Sequence, residues 1–236
     1  MSGKLEPIVV ADATELAEVA AAWTAERIVR AAADRGACHV ALAGGETPRG
    51  CYQRLAGEPY RSSVPWDRVQ FYWSDERQVP LDDPASNYAM ARAALLDRLP
   101  MTSGQVHPLV GDPRPALELL PRNRAGFPRF DLIHLGLGED GHTASLFPDD
   151  PALEEQTAWV VRVHAVKPPP ERLSLTYPVL NAAREILFLV QGVGKRMALA
   201  GVLARDRRFP ASRVEPADGE MRLIVDRAAL PDPVAQ

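Results

Sequence analysis

A carboxylate two residues before an imidazole, set among glycines, is the arrangement in this chain with the most chemical reach. It lies in Gly136-Leu137-Gly138-Glu139-Asp140-Gly141-His142-Thr143-Ala144-Ser145-Leu146-Phe147-Pro148. A neutral His142 could take a proton from water, and a neighbouring carboxylate could fix its tautomer and tune its basicity. Glu139 and Asp140 are both near enough in sequence for that role, and both could equally be solvated loop residues. The loop follows the apolar run Asp131-Leu132-Ile133-His134-Leu135. His134 sits inside that run and reads as a packing histidine with a satisfied ring.

Three more segments end an apolar run in groups that could hold a small anion. In Ala41-Leu42-Ala43-Gly44-Gly45-Glu46-Thr47-Pro48, two glycines precede a Thr able to cap and a Pro suited to a first helical turn. Such a strand-to-helix turn lets backbone N–H groups approach a phosphate through Gly44, Gly45 and Thr47, although a plain tight turn would use the same residues. It is neither the Walker nor the dinucleotide pattern, so it does not imply a nucleotide. In Trp73-Ser74-Asp75-Glu76-Arg77, followed by Ser86-Asn87, Arg77 could clamp an anionic or carbonyl oxygen and Asp75 a sugar hydroxyl. The bland alternative is a surface Asp–Arg pair of little worth. The fourth segment begins at Glu171-Arg172-Leu173-Ser174 and ends at Gln191-Gly192-Val193-Gly194-Lys195. Lys195 stands at an expected helix start, where a cation opposes the helix dipole unless it faces an anion.

Strands that alternate with longer amphipathic segments must bring these loops together. Short apolar runs near 7–11, 38–43, 69–74, 131–136, 159–163 and 186–191 predict strands, and the alternation predicts an α/β fold. Helices are expected over 14–34, with Gly36 to stop the first, then after Pro48, over 87–99 and over 195–204. Loops at the carboxyl ends of parallel strands are where ligands bind in such sheets. Four prolines between Gly111 and Arg129 argue against a long helix there and predict a surface excursion, while Pro168 to Pro170 predicts a turn. One domain over 1–236 is the simplest division.

Composition limits the rest. A chain of 236 residues with 46% hydrophobic and 25% charged residues can bury a substantial core. A net charge of -4 argues against general nucleic-acid affinity. Of the 27 basic residues only Lys4, Lys167 and Lys195 are lysines, which suits forked phosphate contacts but also reflects genome composition. Cys38 and Cys51 lack metal-ligand spacing and read as small buried hydrophobes. No stretch approaches a membrane span and residues 1–10 lack the apolar core of a signal peptide, so a cytoplasmic location is expected.

Taken together, the double-glycine segment, Trp73-Ser74-Asp75-Glu76-Arg77, Ser86-Asn87, the thirteen-residue His142 loop and Gly192-Val193-Gly194-Lys195 resemble the glucosamine-6-phosphate deaminase/6-phosphogluconolactonase family, and specifically its lactonase branch. The resemblance runs from the first strand to Ile224-Val225-Asp226-Arg227-Ala228-Ala229. The Asp-Gly-His-Thr-Ala-Ser-Leu-Phe run is its most specific part. It implies an open, mainly parallel sheet with helices on both faces, and hydrolysis of a phosphorylated sugar lactone in the oxidative pentose phosphate pathway without metal or cofactor. For such a hydrolysis His142 is expected to be the base and Asp140 its orienter, with Arg77 or loop N–H groups meeting the oxyanion. Gly44, Gly45, Thr47, Asp75, Asn87, Arg172 and Lys195 then bind substrate. The expected partner is a small phosphorylated lactone, with no nucleic acid or membrane, and a monomer or small homo-oligomer is expected.

The chain departs from the family pattern at Glu46, a carboxylate in the phosphate loop that must point away from the phosphate or weaken its binding. It departs also in the proline-rich 111–129, where relatives usually carry a helix with an aromatic residue, and mildly at Ser174, where Thr is usual. Two alternatives remain open here. One is deaminase-type chemistry with Asp75 as a carboxylate base; the other is a non-catalytic sugar-phosphate-binding domain.

Overall fold

A computed structural model describes residues 5–231, so residues 1–4 and 232–236 of the expected 1–236 domain, Lys4 among them, lie outside the described residues. Six strands pair in parallel in the order β1-β9-β8-β5-β2-β3: Ile8–Val10, Glu220–Asp226, Glu185–Val190, Leu132–Gly136, Cys38–Leu42 and Val69–Trp73. The sheet is open, and its strands alternate between two buried faces. In β8, Leu187 and Leu189 enter one core, while Ile186, Phe188 and Val190 enter the other. A two-sided apolar strand of this kind is what helices on both faces require.

Helix α1 (Ala13–Arg35) covers the first face and is held at both ends. The Asp12 side chain accepts from the N–H groups of Thr14 and Glu15, and Gly36, at φ 81°, closes the carboxyl end by donating to Ala32. Leu16, Ala20, Thr24, Ile28 and Ala31 form its buried stripe. The larger apolar members, Leu16 and Ile28, contribute about 1.5–3 kcal/mol each on full burial. Helices α2 (Glu46–Leu55) and α4 (Asn87–Ala94) join α1 on this face, with α3 (Tyr60–Ser63) a single turn between them. The second face is covered by α6 (Tyr177–Leu180) and α7 (Arg196–Leu203), and by Leu117 of the short α5 (Arg114–Glu118). Among the described residues no helix is long and apolar enough to cross a membrane.

Three strands lie outside the apolar runs that predict strands in the sequence: β4 (Asp75–Arg77), β7 (Glu171–Leu175) and β9. The run near 159–163 also has another partner than expected. As β6 (Val160–His164) it belongs to a separate antiparallel sheet, β4-β7-β6, in which Arg77 pairs with Arg172. Pro168 to Pro170 form the turn of the β6–β7 hairpin. The helix expected over 87–99 stops at Ala94, because Leu95 leaves the helical region at φ -133°, and a 3₁₀ turn follows over Leu96–Arg98. Residues 111–129 carry no helix beyond the five-residue α5, yet Leu117 and Leu120 are buried, so the excursion contributes to the core. Both cysteines are fully buried, and burial pushes the Cys51 thiol up to about 12.

Candidate active site

Strands β3, β2, β5 and β8 are neighbours, so the loops at their carboxyl ends meet along one edge of the sheet. They enclose a cleft of about 400 Å³. Gly44, Gly45 and Thr47 line it from the end of β2, and Asp75, Arg77 and Asn87 from beyond β3. His142 enters from the loop after β5, Lys195 from beyond β8, and Arg172 from β7 of the small sheet. Asp140 does not line the cleft and reaches it through His142. Nine of the ten residues expected at the site thus line one cleft and the tenth, Asp140, touches His142, although they span 152 positions from Gly44 to Lys195.

The imidazole is held by its own loop. His142 Nδ1 lies 2.5 Å from Asp140 Oδ1, and the His142 backbone N–H donates to the same oxygen at 3.1 Å. The side-chain hydrogen bond from His142 is the main reason the Asp140 carboxyl falls to about 2. With Nδ1 engaged, Nε2 is the ring nitrogen left for a proton from outside. Two glycines make room for this geometry. A methyl on Gly138 would overlap the imidazole Nδ1 and the Asp140 carboxylate. Gly141, at φ 83°, packs against the Phe209 ring, which also fills the space beside Gly201 of α7. Ala144 takes φ 49° without being glycine, a conformation that costs roughly 1 kcal/mol and lies at the cleft wall.

The opposite wall suits an anion. Helix α2 begins at Glu46 after Gly45, which sits at φ 100° and supplies no side-chain cap. Thr47 therefore falls inside the first turn, not at the cap position, and the amino end is left open to an outside acceptor. Glu46 lines the cleft beside Gly45 and pairs with Arg49 at 3.1 Å with a side chain 77% exposed, so Arg49 offsets part of the charge that this carboxylate brings to the loop. Arg77 and Arg172 face each other across the β4–β7 register, and neither forms a salt bridge with a carboxylate among the described residues. Like charges directly opposite on paired strands repel. Burial, and then the Arg77 charge, lower the Arg172 guanidinium below its ordinary value. Arg77 donates to the Ala85 carbonyl at 2.7 Å, and Arg172 to the carbonyls of Pro169 and Lys167.

Several contributors had no role assigned from sequence. Glu76 is fully buried and accepts from the backbone N–H groups of Arg77, Asn87 and Tyr88 and from the Ser86 hydroxyl, pinning the start of α4 to β4. Burial raises its carboxyl, while those N–H bonds act the other way. Ser145 donates to Asp75 Oδ2 at 2.7 Å and its N–H donates to the Ser174 hydroxyl, so Ser at 174 still supplies the oxygen needed there. Asn87 donates to the Asp75 carbonyl at 2.8 Å and packs so tightly on Gly44 that a Cβ there would overlap its amide. Gln191 lines the cleft from the end of β8. His134 packs as expected: it is fully buried between Thr24 and Tyr52, and burial lowers its ring to about 3. Among the described residues no group of three or more His, Cys, Asp or Glu side chains could hold a metal ion.

An open parallel sheet that carries a carboxylate–imidazole pair and an uncapped helix end at its carboxyl edge defines the class as an α/β protein with a polar cleft at the strand ends. The chain belongs to the family described as glucosamine-6-phosphate isomerases/6-phosphogluconolactonase, whose profile it matches over residues 11–223. It is 39% identical over 221 residues to a 6-phosphogluconolactonase of Streptomyces coelicolor, covering 86% of this chain and 85% of that one. To a 6-phosphogluconolactonase of Synechocystis sp. it is 38% identical over 228 residues, covering 91% and 92%. Among solved structures, a 6-phosphogluconolactonase from Trypanosoma cruzi superposes with a TM-score of 0.85 at 28% identity, over 97% of each chain.

Proposed function

We propose that this chain is a cytoplasmic enzyme that hydrolyses 6-phospho-D-glucono-1,5-lactone to 6-phospho-D-gluconate in the oxidative pentose phosphate pathway. The observation that carries the chemistry is the 2.5 Å Asp140–His142 contact opening onto a cleft whose other wall is cationic. A lactone is an activated ester, so catalysis requires delivery of water, stabilisation of an oxyanion and a grip on the phosphate.

In this reading His142 Nε2 takes a proton from water as the water oxygen bonds to the lactone carbonyl carbon. Arg77 or loop N–H groups meet the negative oxygen that results. Collapse breaks the bond between that carbon and the ring oxygen, and the imidazolium returns its proton to the departing oxygen, leaving the hydroxyl of the open chain. Asp140 keeps the proton on Nδ1 and favours the imidazolium while it exists. The phosphate rests at the amino end of α2, on Gly44, Gly45 and Thr47, with Arg172 and Lys195 supplying charge. Asp75 and Asn87 address the sugar hydroxyls.

The test supplies freshly generated 6-phosphogluconolactone and follows acid release. A rate above the spontaneous one is expected, and a rate equal to it ends this reading. Ammonia release from glucosamine 6-phosphate, with no effect on the lactone, would put deaminase chemistry in its place.

A further inference from the structure

We infer that Phe147 is a positioning residue that sets the separation between the proposed base and a phosphate-binding arginine; the inference rests on the roles given above to His142 and Arg172. The Phe147 ring centroid is 4.6 Å from that of His142, with the planes inclined at 41°. The guanidinium carbon of Arg172 stands 5.6 Å from the same phenyl centroid. One aromatic ring therefore touches both groups, one from the loop after β5 and the other from β7.

Each neighbour is incompletely fixed without it. The imidazole has a single side-chain hydrogen bond among the described residues, to Asp140, whose side chain is 47% exposed. One bond in the ring plane leaves the tilt about that bond free, and a phenyl surface against the ring limits it. The Arg172 side chain is tied to the hairpin by the Pro169 and Lys167 carbonyls, at 3.1 and 3.2 Å. The phenyl face supplies a further contact and a cation–π attraction. Phe147 can serve because it is itself anchored. It packs against the second core, and its carbonyl accepts from the Asp150 N–H at 3.3 Å.

A residue in this place affects two kinetic quantities at once without touching a reacting atom. Phe147→Leu keeps apolar volume and removes the ring. Loosening the imidazole should lower kcat roughly 10-fold, since small misplacements of a catalytic group cost that much or more. Loosening the guanidinium should raise KM, and the Kd for inorganic phosphate, about fivefold at most, the scale of one cation–π contact. Phe147→Tyr, which keeps the ring, should restore all three while thermal stability stays close to wild type in each variant. If Phe147→Leu does not fold, Phe147→Met carries the same readouts. Wild-type kcat and phosphate affinity in the Leu or Met variant overturn the inference, as does a loss that Tyr leaves unrepaired.

The phosphate titration needs no turnover, which separates this inference from the reading it rests on. A wild type silent toward the lactone, but with phosphate affinity that falls with Leu and returns with Tyr, ends the lactonase reading and supports the placement of Phe147. A wild type that hydrolyses the lactone, with both quantities indifferent to Phe147→Leu, supports the lactonase reading and ends this one.

Discussion

Asp140 Oδ1 and His142 Nδ1 lie 2.5 Å apart although only Gly141 separates the two residues, because Gly141 adopts φ 83° and folds the imidazole back onto the carboxylate. The pair is local in sequence, and a turn that only glycine adopts without strain makes it. Asp140→Asn presents an amide that no longer selects the Nδ1–H tautomer or favours the imidazolium. We expect kcat to fall about 10²-fold or more with KM little changed, and steady-state kinetics on the lactone check this.

Gly138→Ala tests the same pair through the space it occupies. The added methyl meets the imidazole and the Asp140 carboxylate, both of which can swing away, so the fold should persist while the base is displaced. A drop in kcat of roughly 10²-fold with a melting temperature near wild type is the expected result. Unchanged turnover would mean that this ring orientation is dispensable.

The facing guanidiniums of Arg77 and Arg172 give a prediction about binding. Arg172→Lys replaces a planar fork with a point charge and cannot keep both carbonyl contacts to the hairpin. KM should rise roughly 10-fold, by loss of about 1.4 kcal/mol of charge-assisted hydrogen bonding, while kcat falls much less. Inorganic phosphate inhibition should weaken in parallel.

At the opposite end of the sheet, Asp131 receives Arg35 at 2.7 Å and the His39 N–H at 2.9 Å. Burial pushes its carboxyl up, but the His39 hydrogen bonds and the Arg35 charge outweigh it and leave the carboxyl below its ordinary value. A carboxyl depressed in the folded state stabilises above its unfolded pKa of about 3.9 and loses that contribution as pH falls through the folded value. Asp131→Asn should therefore cost roughly 1–3 kcal/mol near neutrality, and the difference from wild type should shrink below about pH 4. Thermal unfolding of both proteins across that range measures it, and a gap that widens in acid would contradict the assignment.

The parts of the site that were legible in the sequence are those formed by neighbours along the chain. The Gly44-Gly45 turn, the Asp140–His142 loop and the Gly192-Val193-Gly194-Lys195 segment each follow an apolar run, so strand, turn and reactive group appear in order. His134 also disclosed its burial through the apolar run that holds it, and Cys38 and Cys51 disclosed theirs as thiols without metal-ligand spacing. What sequence could not disclose depends on partners far along the chain. Strand β4 is three charged residues, Asp75–Arg77, with no apolar alternation, and its pairing with β7 brings Arg172 opposite Arg77. Glu76 looks like a surface acid until the folded chain delivers the N–H groups of Asn87 and Tyr88 to it. Phe209 carries no local signal for its contact with Gly141, which closes only when α7 packs behind the loop.

Of all these tests, His142→Ala assayed on freshly generated 6-phosphogluconolactone bears most directly on the chemistry. A kcat lower by roughly 10²-fold or more, at nearly unchanged KM, is the result expected if the imidazole activates water and does not bind substrate. Turnover close to wild type would remove His142 from the mechanism and contradict the assignment on which the rest of it depends.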